Sequence, residues 1–390
     1  MKRALSRLHE DERGAVVVIV GALLALLLVF CVYAIDASQM MLVRTQLQNA
    51  ADAGALAGAQ LLCGSATTAD ATDAAILACG ANDALIRSGS ANVMGPVVIT
   101  ASDVTFDSVG LIHVTTHRTQ ATDDQFMNYF LRIFKDDGEL GEMTAHAAAG
   151  CFPVCGSKCI KPWGVPDQWC DSVGTGTCEG RGNGVYEPEL GEFYDPAGTG
   201  YAEADVGDVI TIVPYQGQGS QLASLRPEYY YAIQFPAIGK ESQYNPANSG
   251  LPEYLSWIEG CVSDDVTIEP GDLVPVQTGA SPGTGNPQSR VQDIIDSDPD
   301  ATWDASTQSV INSAYEESPR IIKLALIDPS YGVGSNPKHV KVVKIGVIFL
   351  ANINNAGNIT GRFMRVADPE GIICQNPNDP TFLYKATLVE

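Results

Sequence analysis

The sequence predicts an α+β protein with one N-terminal transmembrane helix that continues as a long helix beyond the bilayer. A small α+β domain and then a β-rich C-terminal domain follow. Three observations carry this expectation. Ala15–Ile35 is a run of 21 consecutive uncharged residues dense in Val, Leu and Ile. The next segment repeats apolar and small residues at three-and-four spacing, with no Gly or Pro until Gly54. In the C-terminal half, β-branched and aromatic runs alternate with Gly- and Pro-containing turns.

The apolar run sets the first element. At about 1.5 Å per residue it covers a hydrocarbon core of roughly 30 Å. A helix satisfies its own backbone donors, so it crosses lipid unaided. Lys2, Arg3, Arg7 and Arg13 precede the run and only Arg44 follows closely. That excess places the leader, residues 1–14, in the cytoplasm and the C-terminal body outside it. Glu10, Asp11 and Glu12 count little in that rule. A cleaved signal peptide is the competing reading. Against it, the run exceeds a signal core of roughly 7–15 residues and no Ala-x-Ala site closes it. An uncleaved span over 15–35 is therefore expected. Beyond it, Val43, Leu47, Ala50, Ala51, Gly54, Ala57, Gly58 and Leu61 form one stripe on a continuing helix. The small members, Ala50, Ala51, Gly54, Ala57 and Gly58, permit close helix–helix approach.

These residues carry a resemblance. Glu12 and Gly14, the apolar run, Ala34-Ile35-Asp36 and Leu47–Ala59 (LQNAADAGALAGA) resemble the TadE/TadG-like proteins of the tight-adherence (Flp) pilus-assembly system. The likeness is specific over residues 12–59 and looser to residue 150. It implies a pilin-like helix and a non-enzymatic structural component anchored in the bacterial inner membrane. The body would be periplasmic or extracellular, with pilus-assembly or pilin-like proteins as partners. One departure stands out. Where a prepilin carries Glu five residues after the cleavage Gly, this chain has only Val or Ile, which argues against cleavage after Gly14.

Residues 36–150 read as the helix plus a small α+β domain. A helix over 68–88, capped by Thr68 or Asp70, comes first. A β-hairpin over 97–117 (VVIT, DVTF, LIHVTT) comes next. Phe126, Tyr129, Phe130, Ile133 and Phe134 then recur at helical spacing behind Asp123 and Asp124, which predicts a helix with an aromatic core stripe. Residues 141–150 read as a strand. Residues 151–180 read as a Cys-rich junction, marked by KPWGVPDQW (161–169), and 181–390 as the β-rich exported domain. Strands are expected at 208–213, 229–235, 320–327, 339–353, 359–366 and 382–389, with a short helix at 289–296.

The formal net charge of −23 argues against nucleic acid or anionic lipid as a partner of the exported body. Hydrophobics at 45% are a globular value, so the chain is expected to fold. Of ten cysteines, Cys31 lies inside the apolar run. The other nine are Cys63, Cys79, Cys151, Cys155, Cys159, Cys170, Cys178, Cys261 and Cys374, and in an exported body they read as disulfide candidates. Cys63 with Cys79 is one conceivable staple, and Cys151 to Cys178 a local knot. Nine is odd, and the connectivity stays open.

Chemistry-bearing motifs are few. In Gly182–Asp195, the side chains of Asn183, Glu187, Glu189, Glu192 and Asp195 are hard oxygen ligands of the kind calcium takes. The EF-hand register fails, however, because Arg181 and Leu190 fall on ligand positions three and twelve. A solvated acidic loop is the plainer reading, and calcium is the one cofactor the sequence raises. Asp296, Asp298, Asp300 and Asp304 form a second acidic run, without the Gly or closing Glu of a calcium loop. The histidines are scattered, and Cys151-x3-Cys155-x3-Cys159 matches no common zinc or iron–sulfur spacing. His113 and His117 read as surface residues. There is no G-x-S-x-G, and the Gly-rich 278–287 stretch lacks the Gly-Lys-Ser/Thr of a phosphate loop. No enzymatic activity and no small-molecule substrate are inferred. The alternative to a pilus component is a membrane-tethered surface adhesin or calcium-stabilised ligand-binding module.

Overall fold

The structure, a computed structural model, describes residues 12–64, 66–89, 91–120, 125–128, 140–171, 186–215, 229–240, 251–261, 266–276, 286–331 and 339–389. The chain divides into two compact units. The first takes the chain up to Leu62, Ala66–Gly150 and the residues from Thr387 onward; the second takes Cys63–Ser65 and Cys151–Ala386.

The first unit is built on α1 (Glu12–Cys63), one unbroken helix of 52 residues. Apart from Gly14 and Gly21, no Gly or Pro interrupts it before Gly54, so nothing local breaks the hydrogen-bond ladder. α2 (Thr68–Gly80) starts on a capping box set by Thr67, one residue before the expected cap. The Asp70 N–H donates to Thr67 Oγ1 at 3.2 Å, and the Thr67 N–H donates to the Asp70 carboxylate at 3.0 Å.

That helix stops at Gly80, short of residue 88. Asp83–Ser88 instead form β1, paired antiparallel with β2 (Ala91–Pro96). Leu85 and Ile86 pair with Met94 and Val93, a cross-strand gain that overrides helix propensity. β3 (Val104–Phe106) and β4 (Ile112–Arg118) supply the expected hairpin, while Val97–Thr100 lie outside the ladder.

Phe126 corrects the reading of an aromatic helix, because Phe126–Met127 is a short strand, β5, paired with β6 (Leu140–Gly141). Asn92 holds it there: its Oδ1 accepts from the Met127 N–H at 2.7 Å, and its Nδ2 donates to the Met127 carbonyl at 3.0 Å. Tyr129, Phe130, Ile133 and Phe134 lie outside the described residues. β7 (Met143–Gly156) pairs with β4 over residues 143–149. The strand expected at 141–150 therefore exists and runs on into the stretch read as a junction.

In the second unit, that stretch contributes a central strand. β8 (Ile160–Pro166) is buried along its whole length. β9 (Val209–Pro214), β10 (Tyr229–Ala232), α3 (Leu251–Glu259), β11 (Leu273–Pro275) and α4 (Asn286–Ser297) come after it. β12 (Thr302–Asp304) and β13 (Ser309–Ile311) form a small hairpin. β14 (Ile321–Ile327), β15 (His339–Ile353), β16 (Ile359–Phe363), β17 (Val366–Ala367), β18 (Ile372–Ile373) and β19 (Leu383–Val389) complete the chain.

The strands in the order β15-β14-β8-β10-β9-β16 close into a ring, because β16 pairs back onto β15. β14 with β8 and β9 with β10 are parallel, and the other ring pairs are antiparallel. Closure leaves these six strands no open edge. Pro162 is accommodated inside β8 by an irregularity of the β14 ladder between Lys323 and Ala325.

Trp163, Tyr230, Tyr254, Phe363 and Phe382 are fully buried in this unit, and the Trp163 indole donates to the Tyr254 hydroxyl at 3.0 Å. A buried ion pair, Lys344 with Asp167 at 2.9 Å, is completed by the Tyr194 hydroxyl and the Tyr201 N–H, each 2.8 Å from the carboxylate.

Candidate functional site: the anchor helix and its packing stripe

α1 presents two surfaces in succession. From Val16 to Ile35 its side chains are almost all exposed. Leu26, Leu27 and Leu28 are each more than half exposed, and three consecutive residues cover every face of a helix. A helix apolar all round and unburied by its own chain needs another apolar phase. Among the described residues it is the one helix long and apolar enough to cross a membrane. The length and composition are those of a single-pass anchor.

From Asp36 the same helix is packed. Val43, Leu47, Ala50, Ala51, Gly54, Ala55, Gly58 and Ala59 are buried, and Ala57 is half-buried. Gly54 and Gly58 of this stripe face α2 and β4 of the same unit. A Cβ built on Gly54 would lie 2.5 Å from Cys79 Sγ and 3.1 Å from the Ala75 carbonyl. One on Gly58 would meet Ile112 Cδ1 and lie 3.0 Å from the Ala71 carbonyl. The alanines Ala71 and Ala75 and the thiol of Cys79 are the complementary face.

Two polar clamps complete the packing. Thr116 Oγ1 donates to the Leu47 carbonyl at 2.9 Å. The wholly buried Arg118 donates to the carbonyls of Ala84, Leu85, Gly95 and Pro96, tying both strands of the β1–β2 hairpin to β4. Nothing in the local sequence marks Arg118 for this role, since its partners come from two other strands.

Cys63, the last residue of α1, is bonded to Cys151. Cys155 pairs with Cys374 and Cys159 with Cys261, and Cys170 is also disulfide-bonded. Cys178 lies outside the described residues. The staple between Cys63 and Cys79 does not form. Cys79 points from α2 into the α1 interface, where its thiol donates to the Ala50 carbonyl at 3.2 Å and burial pushes its pKa up to about 11. Cys31 carries a free, exposed thiol.

In the acidic loop, Glu189 is exposed beside Gly191, which sits at φ +94°, and Asp195 caps the following turn through the Ala197 N–H at 3.1 Å. Glu192 turns inward and accepts the Glu187 N–H at 2.7 Å. Burial, with Asp171 adding to it, holds the Glu192 carboxyl above its ordinary range. Glu187, Glu189, Glu192 and Asp195 do not gather into a three-ligand cluster, and Asn183 lies outside the described residues. Among the described residues, one such group brings its ligand atoms together, Cys155, Cys374 and Asp379. Its two sulfurs are joined to each other, so they offer no thiolate.

His113 and His117, expected as plain surface residues, each meet a carboxylate, Asp107 at 3.3 Å and Asp103 at 3.4 Å. Asp298, in the second acidic run, is buried and accepts from Ser318, Ser313 and the Ala314 N–H. These contacts hold it below the usual carboxylate range, as a structural rather than a ligand group. A cleft of about 640 Å³ opens in the first unit beside Gln48, Asp52, Thr115 and His146. Thr115 Oγ1 lies 2.9 Å from His146 Nδ1 there.

The molecule is thus a mixed helix-and-strand protein with a long apolar N-terminal helix and a β-rich C-terminal region. The family model described as putative Flp pilus-assembly TadE/G-like matches residues 14–61, which is α1 almost end to end. No curated protein and no solved structure compared with the chain gives a match. The family match supports a role in pilus assembly, and it covers the anchor and the packing stripe together.

Proposed function

We propose that this protein is a non-enzymatic, single-pass component of Flp/Tad-type pilus assembly, with α1 anchoring it in the inner membrane and its acidic, disulfide-bonded body on the exported side. The observation that carries the reading is the coincidence of three things on one helix. These are the family match at 14–61, the exposed apolar sleeve at Val16–Ile35, and the small-residue stripe that seats the rest of the helix in its domain. The Lys/Arg excess before the run sets the orientation.

The mechanism is mechanical. A helix continuous through bilayer and domain transmits position and load without a flexible joint, since no break separates Ile35 from Asp36. Gly54 and Gly58 are occupied by the chain's own α2, so pilus subunits are met by other surfaces.

Deletion of this chain from its host should remove or thin the surface pili, and the full chain should restore them. A version with residues 15–35 replaced by a cleavable signal peptide, which releases the same body, should fail to restore them. Normal piliation in the deletion strain overturns the assembly role. Restoration by the released body overturns the anchoring mechanism.

A further inference from the structure

The first unit contains its own ruler along α1. Ile112 packs at Gly58, Val114 at Gly54, and Thr116 bonds Leu47, so β4 descends the helix toward the apolar run as its numbers rise. The β1–β2 hairpin continues the descent. The Leu85 N–H donates to Gln46 Oε1 at 3.0 Å, and Asn92 Nδ2 donates to Gln39 Oε1 at 2.9 Å. Gln39 is four residues beyond Ile35, a rise of about 6 Å. Ala91 and its partner Ser88 lie one strand residue nearer the run, a further step of about 3.4 Å.

The strand residues flanking the hairpin connection therefore lie toward the end of the apolar sleeve, where the headgroup layer, about 5–7 Å thick on each side of the hydrocarbon, begins. Their chemistry suits that layer. Ser88 and Ala91 are exposed, and Gly89, at φ +64°, gives the tight turn. Arg87 is exposed, with its Nε on the Gly89 carbonyl at 3.2 Å and no carboxylate paired with it among the described residues.

We propose that the β1–β2 turn is a lipid-headgroup contact, in which Arg87 meets lipid phosphate and the turn rests on the bilayer surface, setting the height of the first unit over the membrane. This rests on the anchor reading and adds a second point of contact to it. Together, a helix through the bilayer and a turn upon it restrain tilt as well as depth.

The test uses the full chain in vesicles of phosphatidylcholine and phosphatidylglycerol, with an environment-sensitive fluorophore on one thiol at a time. Lipids carry a nitroxide on the headgroup or on the acyl chain. The native Cys31 reports on the anchor. In a Cys31→Ala background, Ala91→Cys reports on the turn, and Val109→Cys, on the far β3–β4 turn, is the control. Cys79 is buried and stays unlabelled.

Expected are quenching at Cys31 by the acyl-chain nitroxide, at position 91 by the headgroup nitroxide, and at position 109 by neither. Arg87→Ala should weaken the contact at position 91 by about fivefold, the share of one guanidinium held at a lipid phosphate. Quenching at Cys31 with position 91 no more quenched than position 109 overturns the headgroup contact and leaves the anchor standing. No quenching at Cys31 overturns the anchor reading itself.

Discussion

Gly54 has Cys79 and the Ala75 carbonyl where a side chain would go, whereas Gly21, on the exposed sleeve, has nothing within 4 Å. Gly54→Leu should destabilise the first unit by about 3 kcal/mol, because α2 must move away to admit it. Urea denaturation measures the loss, and maleimide labelling of Cys79, now buried, should accelerate with it. Gly21→Leu should do neither. Lys161 is a second revealing residue. Its buried ammonium donates to the Ile258 and Gly260 carbonyls at the end of α3, and burial holds its pKa down to about 8. Between about 8 and the ordinary value near 10.4 the folded amine is neutral while the unfolded one is protonated. The unfolded state then binds the extra proton, so stability rises with pH through that window and the gain is absent below it. Lys161→Met should flatten the rise, read as urea midpoints at about pH 7.5 and about pH 9.5. Asp298 has the ordinary carboxylate sign. Hydrogen bonds from Ser318, Ser313 and Ala314 depress its folded pKa, so its contribution is present above about pH 4 and lost as pH falls through the depressed value. Asp298→Asn should remove that part of the acid dependence of the melting temperature.

Among the elements, the Cys63–Cys151 bond has the clearest consequence. It joins the last residue of α1 to β7 across a sequence separation of 88 residues. In the chain-entropy picture, closing a loop of that length is worth about 4–5 kcal/mol. A Cys63→Ser, Cys151→Ser chain should lose stability on that order in chemical denaturation, and further reduction should not reproduce the same step. The elements also show how far sequence patterns can reach. α1, β14, β15 and α4 were legible because each is long and strongly patterned. The hairpin of β1 and β2 was not, because the decisive partner of Leu85 and Ile86 lies on the next strand. β5 was hidden for the same reason: Phe126 begins a good helical stripe, yet the Asn92 side chain claims both backbone groups of Met127. β8 lies in the stretch read as a junction from its cysteines and the KPWGVPDQW run; Pro162 is no obstacle to a central strand there, because an irregularity in the β14 ladder accommodates it.

The whole molecule combines a helix with an exposed apolar run and a body that has its own buried core. Val16–Ile35 leaves a continuous apolar sleeve exposed, whereas the described strands of the second unit's ring bury their large aromatics and leave no open edge. Alkaline carbonate extraction of membranes should therefore leave the intact chain in the pellet, and removal of residues 1–35 should release a soluble body. Release of the intact chain by carbonate would contradict a spanning helix. Mass spectrometry of the extracted protein before and after reduction should return Cys63 with Cys151, Cys155 with Cys374 and Cys159 with Cys261, along with the true N-terminus.

By itself the sequence determined the long apolar helix, the Lys/Arg asymmetry about its apolar run, the continuity of the helix beyond that run and the acidic, cysteine-containing character of the body. Those properties are local or additive: run length, charge asymmetry, three-and-four spacing and cysteine content need no partner elsewhere in the chain. The tertiary structure alone decided which cysteines meet, what the small-residue stripe packs against, where Arg118 spends its donors and how six strands close into a ring. Each of those depends on residues tens to hundreds of positions apart being brought within a few ångströms, and no local pattern encodes that distance.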